Sequence, residues 1–277
     1  MSDISSPTGT AQGALRAPNR GVNRSFPTFR ATLALILREM ATRYGRSPGG
    51  YVWAVLEPLG MIIVLAAAFN LLVRVPPLGN NFILFFATGL LPFQLYGALN
   101  NNVARAMNFS RALLFYPAVT WVDALLARFT LTLLTDVLVM LLLLIVFVSV
   151  SDVTLFLDVG PIMLGIGLAA ALGLGVGVFN CVLFGFFPVW MNVWSIMNRP
   201  LFFASGILFL FEDMPEFIQV YLWYNPLIHI IGLIRTGFYP TYEADYASPL
   251  YVLSIAAILL FFGVMLMGRF HREILNR

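Results

Sequence analysis

The sequence predicts an all-α polytopic membrane protein with six transmembrane helices, an N-terminal amphipathic interface helix, and re-entrant periplasmic helices between spans 5 and 6. Three observations carry that expectation. Of 277 residues, 60% are hydrophobic and 10% charged, and the mean hydropathy is +0.88, far above a soluble domain. The apolar residues gather into stretches near the roughly 20 needed to cross a bilayer. The arginines collect beside alternate ends of those stretches, as the positive-inside rule requires of cytoplasmic loops.

Residues 1–28 hold Ser, Thr, Pro, Gly, Asn and Arg with no apolar core, and read as a disordered cytoplasmic tail and not a cleavable signal peptide. Residues 29–277 form the transmembrane domain. Within it, Phe29, Leu33, Ile36, Met40 and Tyr44 recur at spacings of three and four while Arg30 and Arg38 fall off the stripe, which makes 29–47 an interface helix. Arg43 and Arg46 then mark the headgroup region, Tyr51 and Trp53 sit at interfacial depth, and Glu57 and Pro58 lie inside the first span, 51–73. A turn at 74–80, rich in Pro, Gly and Asn, leads to a second span, 82–104, with Pro92 as a kink and asparagines at 100–102.

Residues 105–123 form the largest internal cytoplasmic loop, where Asn108 or Ser110 is expected to cap a short helix ended by Pro117. The third span, 124–150, carries Arg128 and Asp136. An acidic turn at 152–158 precedes the fourth span, 159–183, whose ladders Gly165/Ala169/Gly173/Gly177 and Gly167/Ala171/Gly175 allow close helix packing. A turn at 185–188 and a fifth span over 189–211, containing Arg199, come next. The segment 212–248 is too polar and proline-punctuated to cross as a whole. Its apolar helix 226–237, with Asn225 as cap and Pro226 in the first turn, is roughly 18 Å long, the depth of a re-entrant helix. The sixth span, 250–268, ends at Arg269, Arg272 and Arg277. With both termini cytoplasmic, twelve arginines fall inside, two outside (Arg74, Arg235) and two within the membrane (Arg128, Arg199).

Composition also excludes chemistry. All 16 basic residues are arginine, so there is no P-loop, catalytic or Schiff-base lysine, and any ATP that drives the protein is hydrolysed by another chain. The lone Cys181 permits no internal disulfide, and His229 and His271 lie in different segments, so neither a metal nor a catalytic site is expected. His229 reads as a satisfied buried imidazole. The net charge of +3 is a topology signal, with no nucleic-acid partner implied. No chain of membrane acids and no inverted repeat points to a proton-driven carrier. A membrane-embedded enzyme would need a convergent acid/base constellation, which is lacking. A passive scaffold would leave Glu57, Asp136 and Arg199 costly and unused.

For the intramembrane polar residues two readings each stand. Glu57 is either a gating or assembly group or a snorkelling acid. Arg128 and Asp136, about 12 Å apart along one helix, belong either to an ion network between helices or to a substrate-contacting surface. Arg199 faces a passage or a helix interface. The aromatics Trp223, Tyr224 and their neighbours form an interfacial belt or offer flat faces to sugar rings.

The stretch REMATRYGRSPGGYVWAVLEP (38–58), FPVW (187–190) with NRPLFFASG (198–206), and NPLIH (225–229) followed by Arg235 together resemble the permease subunits of type-2 ATP-binding-cassette exporters. The nearest likeness is to the KpsM-type capsule polysaccharide exporters of Gram-negative bacteria, over residues 29–277. Gly232 departs from the family pattern, which has an acid there to pair with Arg235. The resemblance implies a homodimer in the bacterial inner membrane, bound to two copies of a cytoplasmic ATPase subunit that holds the ATP and Mg, so this chain itself carries no cofactor. It implies a coupling helix at Arg111, Leu113, Leu114, Phe115 and Tyr116, and a passage or gate drawing on Tyr51, Trp53, Glu57, Arg128 and Arg199. The exit would be shaped by Trp223, Tyr224, Asn225, Pro226 and Arg235. The substrate would be a lipid-linked, acidic polysaccharide, passed on to periplasmic and outer-membrane capsule export proteins. Within the same superfamily, export of O-antigen, of another surface polymer, or of a small lipophilic molecule is the alternative.

Overall fold

The computed structural model describes residues 27–44, 50–73, 75–115, 119–150 and 157–276. The tail through residue 26, Arg46, Arg74, Tyr116, Pro117 and Asp152 lie outside the described residues. Among the described residues ten helices follow in order: α1 Pro27–Tyr44, α2 Gly50–Leu72, α3 Phe82–Ala104, α4 Ala106–Leu114, α5 Trp121–Val150, α6 Val159–Phe186, α7 Trp190–Ala204, α8 Glu216–Leu222, α9 Pro226–Phe238 and α10 Pro249–Asn276. Among the described residues, five helices are long and apolar enough to cross a membrane, or six if the bent pair α8 and α9 counts as one.

The bundle is organised around α6. Its Gly/Ala ladder faces α3 and α9: a methyl group at Gly173 would come within 2.8 Å of Leu99 Cβ, one at Gly177 within 2.8 Å of Val103 Cβ, and one at Gly165 would collide with Ile234. On the other side Gly175 and Gly263 bring α6 against α10. Only part of the second ladder is used, since Gly167 faces outward with nothing near it. Between lipid-embedded helices such close backbone approach is the main source of van der Waals attraction. A hydrogen bond is added just beyond the ladder's end, where Asn180 Nδ2 on α6 donates to Asn100 Oδ1 on α3 at 3.1 Å.

Several expected boundaries hold. Helix α3 runs over 82–104 with Pro92 inside it, capped by the Asn81 side chain, which accepts from Ile83 N–H. Asn225 caps α9 in the same way with Pro226 in its first turn. Others do not. The short helix after α3 begins at Ala106, directly behind Arg105, with Asn108 and Ser110 inside it and no side-chain cap. Helix α10 continues past Gly268 through Arg269 and Arg272 to Asn276.

The main correction is the fifth span. The continuous helix expected over 189–211 stops at Ala204, leaving α7 only 15 residues long. Gly206 takes a left-handed φ of +76°, which glycine adopts without a Cβ penalty. Beyond that turn the carbonyls have no helical donors, and in a membrane each unmet carbonyl costs several kcal/mol. Arg235 on α9 meets that need: Nη1 donates to Phe209 O and Nη2 to Ile207 O, each at 3.1 Å.

Candidate functional site

Three helices leave a cleft of about 600 Å³ between them. Trp53 and Glu57, one turn apart on α2, form one wall, Gln94 and Ala98 on α3 the second, and Asp136 with Met140 on α5 the third. Gly97 has open space where a side chain would stand, which keeps the α3 wall recessed. Pro58 is buried behind Glu57, while Glu57 and Trp53 are themselves exposed. The cleft thus offers two carboxylates, one amide and one indole face in an otherwise apolar wall. Such groups suit a hydroxyl-rich guest, which donates to carboxylates and stacks its ring on an indole.

Of the residues expected in a passage, the structure brings together Trp53 and Glu57, and adds Gln94 and Asp136. Tyr51 belongs to the start of the same helix. Arg128 is elsewhere: it lies one side of α5 away, with Nε 2.7 Å from Glu39 Oε1 on α1 and both side chains over nine-tenths buried (8% and 6% exposed). The pair joins α5 to α1, with Glu39 a partner that the sequence reading, which set Arg128 beside Asp136, did not name. On α1 the bundle-facing residues are Leu35 and Glu39, while Leu33, Leu37 and Met40 face away. Arg199 is exposed on α7, a helix with no buried residue, and does not line the cleft.

Of the residues expected at the coupling loop, Arg111, Leu113 and Leu114 belong to the end of α4 and Phe115 follows it. Arg111 and Phe115 are exposed, Leu113 and Leu114 half-buried, and Ala106, Met107 and Ser110 turn inward. Phe109 stacks on the Arg128 guanidinium, whose carbon is 3.8 Å from the ring centre.

The expected exit residues split. Tyr224 is exposed. Trp223 is half-buried, donating its indole N–H to Tyr246 O at 3.3 Å and meeting the His229 ring edge-on. Asn225, besides capping α9, donates to Ala204 O at 2.9 Å and to Ser205 Oγ at 3.3 Å, so it ties the end of α7 to the start of α9. Arg235 is buried: it is 2% exposed and lies over the Phe85 ring at 4.3 Å. Its neighbour Gly232 packs against Tyr246, where an acid has no room. His229 is the satisfied imidazole expected, with Nε2 2.8 Å from Trp223 O and Nδ1 accepting from Ser248 N–H at 3.2 Å. Glu212 instead reaches the loop after α9, accepting from Tyr242 Oη at 3.2 Å.

Sequence reasoning missed Glu39, Gln94 and Phe109. Glu39 carries a faint signal, being an acid four residues after Leu35 on an arginine-bearing helix; Gln94 and Phe109 carry none.

A family model described as ABC-2 type transporter matches residues 30–239. The chain belongs to the ABC-2 type transporter family. Among its relatives, the polysialic acid transport protein KpsM of Escherichia coli is 32% identical over 236 residues, covering 84% of this chain and 90% of that protein. The capsule polysaccharide export inner-membrane protein CtrC of Neisseria meningitidis is 24% identical over 241 residues, covering 87% and 91%. The capsule polysaccharide export inner-membrane protein BexB of Haemophilus influenzae is 24% identical over 242 residues, with the same coverage. As a member of this family the chain is the membrane component of a transporter, and the α2/α3/α5 cleft is a polar opening in an ABC-2 bundle.

Proposed function

We propose that this chain is the permease subunit of an ATP-driven exporter of capsular polysaccharide in the bacterial inner membrane. The observation that carries this reading is the likeness to a polysialic acid transport protein over 90% of that protein's length. The cleft supports it through its amide and indole, which can meet sugar hydroxyls and ring faces within an apolar bundle. In this reading Trp53 and Glu57 belong to the passage, and two copies of the chain enclose it, since one copy leaves most of α2 and α7 uncovered. Residues 105–123 face the cytoplasm and dock two copies of a separate ATPase subunit, which binds ATP and Mg, through Arg111 and Phe115. Residues 29–47 lie in the cytoplasmic interface, both termini are cytoplasmic, and 212–248 re-enter from the periplasm. Periplasmic and outer-membrane partners receive the polymer. Arg199, exposed and cationic, is the group left to meet an acidic chain or its lipid-linked end, because Arg128 is committed to Glu39.

The test is deletion of this chain in its native host with the biosynthetic enzymes intact, followed by fractionation of the polysaccharide and complementation with wild type, Glu57→Ala and Arg199→Ala. Polymer held in the cytoplasm and returned to the surface by the wild-type chain is the expected result. A normal coat after deletion would reject polysaccharide export.

A further inference from the structure

Arg128 touches three helices at once. It projects from α5, sets its edge against Glu39 of α1, and sets its face against the Phe109 ring of α4. A planar guanidinium can hold a carboxylate and a ring simultaneously; a lysine ammonium is a point charge and cannot serve both. Helix α1 packs chiefly on α5, so this residue lies where α1 joins the bundle. Helix α4 reaches the same spot through Phe109, itself 46% exposed, while Arg111 on α4 and Phe115 just after it are exposed. Two turns farther along α5, about 12 Å from Arg128, Asp136 lines the cleft.

We infer that Arg128 is a positioning residue that carries displacement of α4 to α1 and α5. A shift of α4 moves the Phe109 ring, the ring moves the guanidinium stacked on it, and the buried ion pair takes α1 along. Helix α5 is stiff, so the same shift is delivered to Asp136 and the cleft. A pair present only for stability would need the carboxylate and the cation; it would not need an aromatic face from the α4 element. The inference rests on the reading of α4 as the ATPase dock.

The experiment uses the full permease–ATPase complex, measuring assembly by co-purification, ATP hydrolysis in detergent, and surface polysaccharide in the deletion host. Phe109→Leu keeps an apolar side chain and both charges. It is expected to assemble and hydrolyse ATP within twofold of wild type while lowering export at least tenfold, and Phe109→Trp, which restores a ring, is expected to recover most of the export. The double swap Glu39→Arg with Arg128→Glu re-forms an ion pair without a guanidinium on the ring, and is expected to restore accumulation of the protein but not export. Normal export by Phe109→Leu, or export restored by the swap, overturns the inference. Arg111→Glu with Phe115→Ala separates it from the underlying reading: if that variant still binds the ATPase normally, α4 is not the dock and both fall. If it loses the ATPase while Phe109→Leu exports normally, the relay alone falls.

Discussion

Helices α2 and α3 are both apolar, and α2 is the more lipid-like of the two; yet in its apolar 18-residue stretch 17% of residues are buried, against 72% in that of the span beginning with α3. Hydropathy therefore reports what solvent a helix tolerates and says nothing of which helices hold it. What separates the two is the small and polar residues. Helix α3 presents Thr88, Gly89 and Asn100 to its neighbours, and α6 answers with its glycine ladder and Asn180. Helix α2 has Ile62 and Ala66 turned inward and Ile63, Val64, Leu71 and Leu72 turned out. In lipid, where apolar contact with a neighbour gains little over contact with acyl chains, close packing and hydrogen bonds decide the partners.

That contrast orders the expected effects of substitution. Arg235→Met, on the buried side, removes both donors from the Ile207 and Phe209 carbonyls and is expected to lower stability by about 2–5 kcal/mol, seen as early unfolding in a detergent thermal melt. Gly177→Leu pushes a side chain into Val103 and is expected to cost about 1–3 kcal/mol, measurable by denaturant titration in mixed micelles. Asn180→Leu loses the bond to Asn100 and that from Trp190. It should cost about 0.6–2 kcal/mol, with faster proteolysis of the loops joining α3 and α6 as the readout. Val64→Ala, on the uncovered face of α2, should stay within about 0.5 kcal/mol by the same melt. A loss beyond 1 kcal/mol there, larger at high protein concentration, would show that a second copy covers the face and would redraw the comparison.

The legible part of the fold is what depends on near neighbours in sequence. The bounds of α3, the Asn225 cap and the Pro226 start of α9 follow from capping chemistry and backbone restriction within a few residues. The end of α7 was not legible, because hydropathy continues unbroken to Phe211 while the donors that make the break tolerable come from Arg235, 26 and 28 residues farther on. The same holds for the site. Trp53 and Glu57 stood out as an indole and an acid one turn apart, but Gln94 and Asp136 join them only through the packing of three helices. Arg128 is read from the sequence beside Asp136, as an ion network between helices or a substrate-contacting surface, whereas its ion partner is Glu39, on a helix whose apolar stripe points the reading the other way.

The Asn100–Asn180 bond has a consequence in time. Its two members are separated by 80 residues, and at the ~5–20 residues per second of synthesis the second asparagine leaves the ribosome about 4–16 s after the first. During that interval α3 is in the membrane with its Asn100 amide facing lipid or the insertion machinery, and with no glycine surface to receive Leu99 and Val103. The helix that ends as the most enclosed of the spans thus waits for the partner it packs on most, and the arrival of α6 ends that wait.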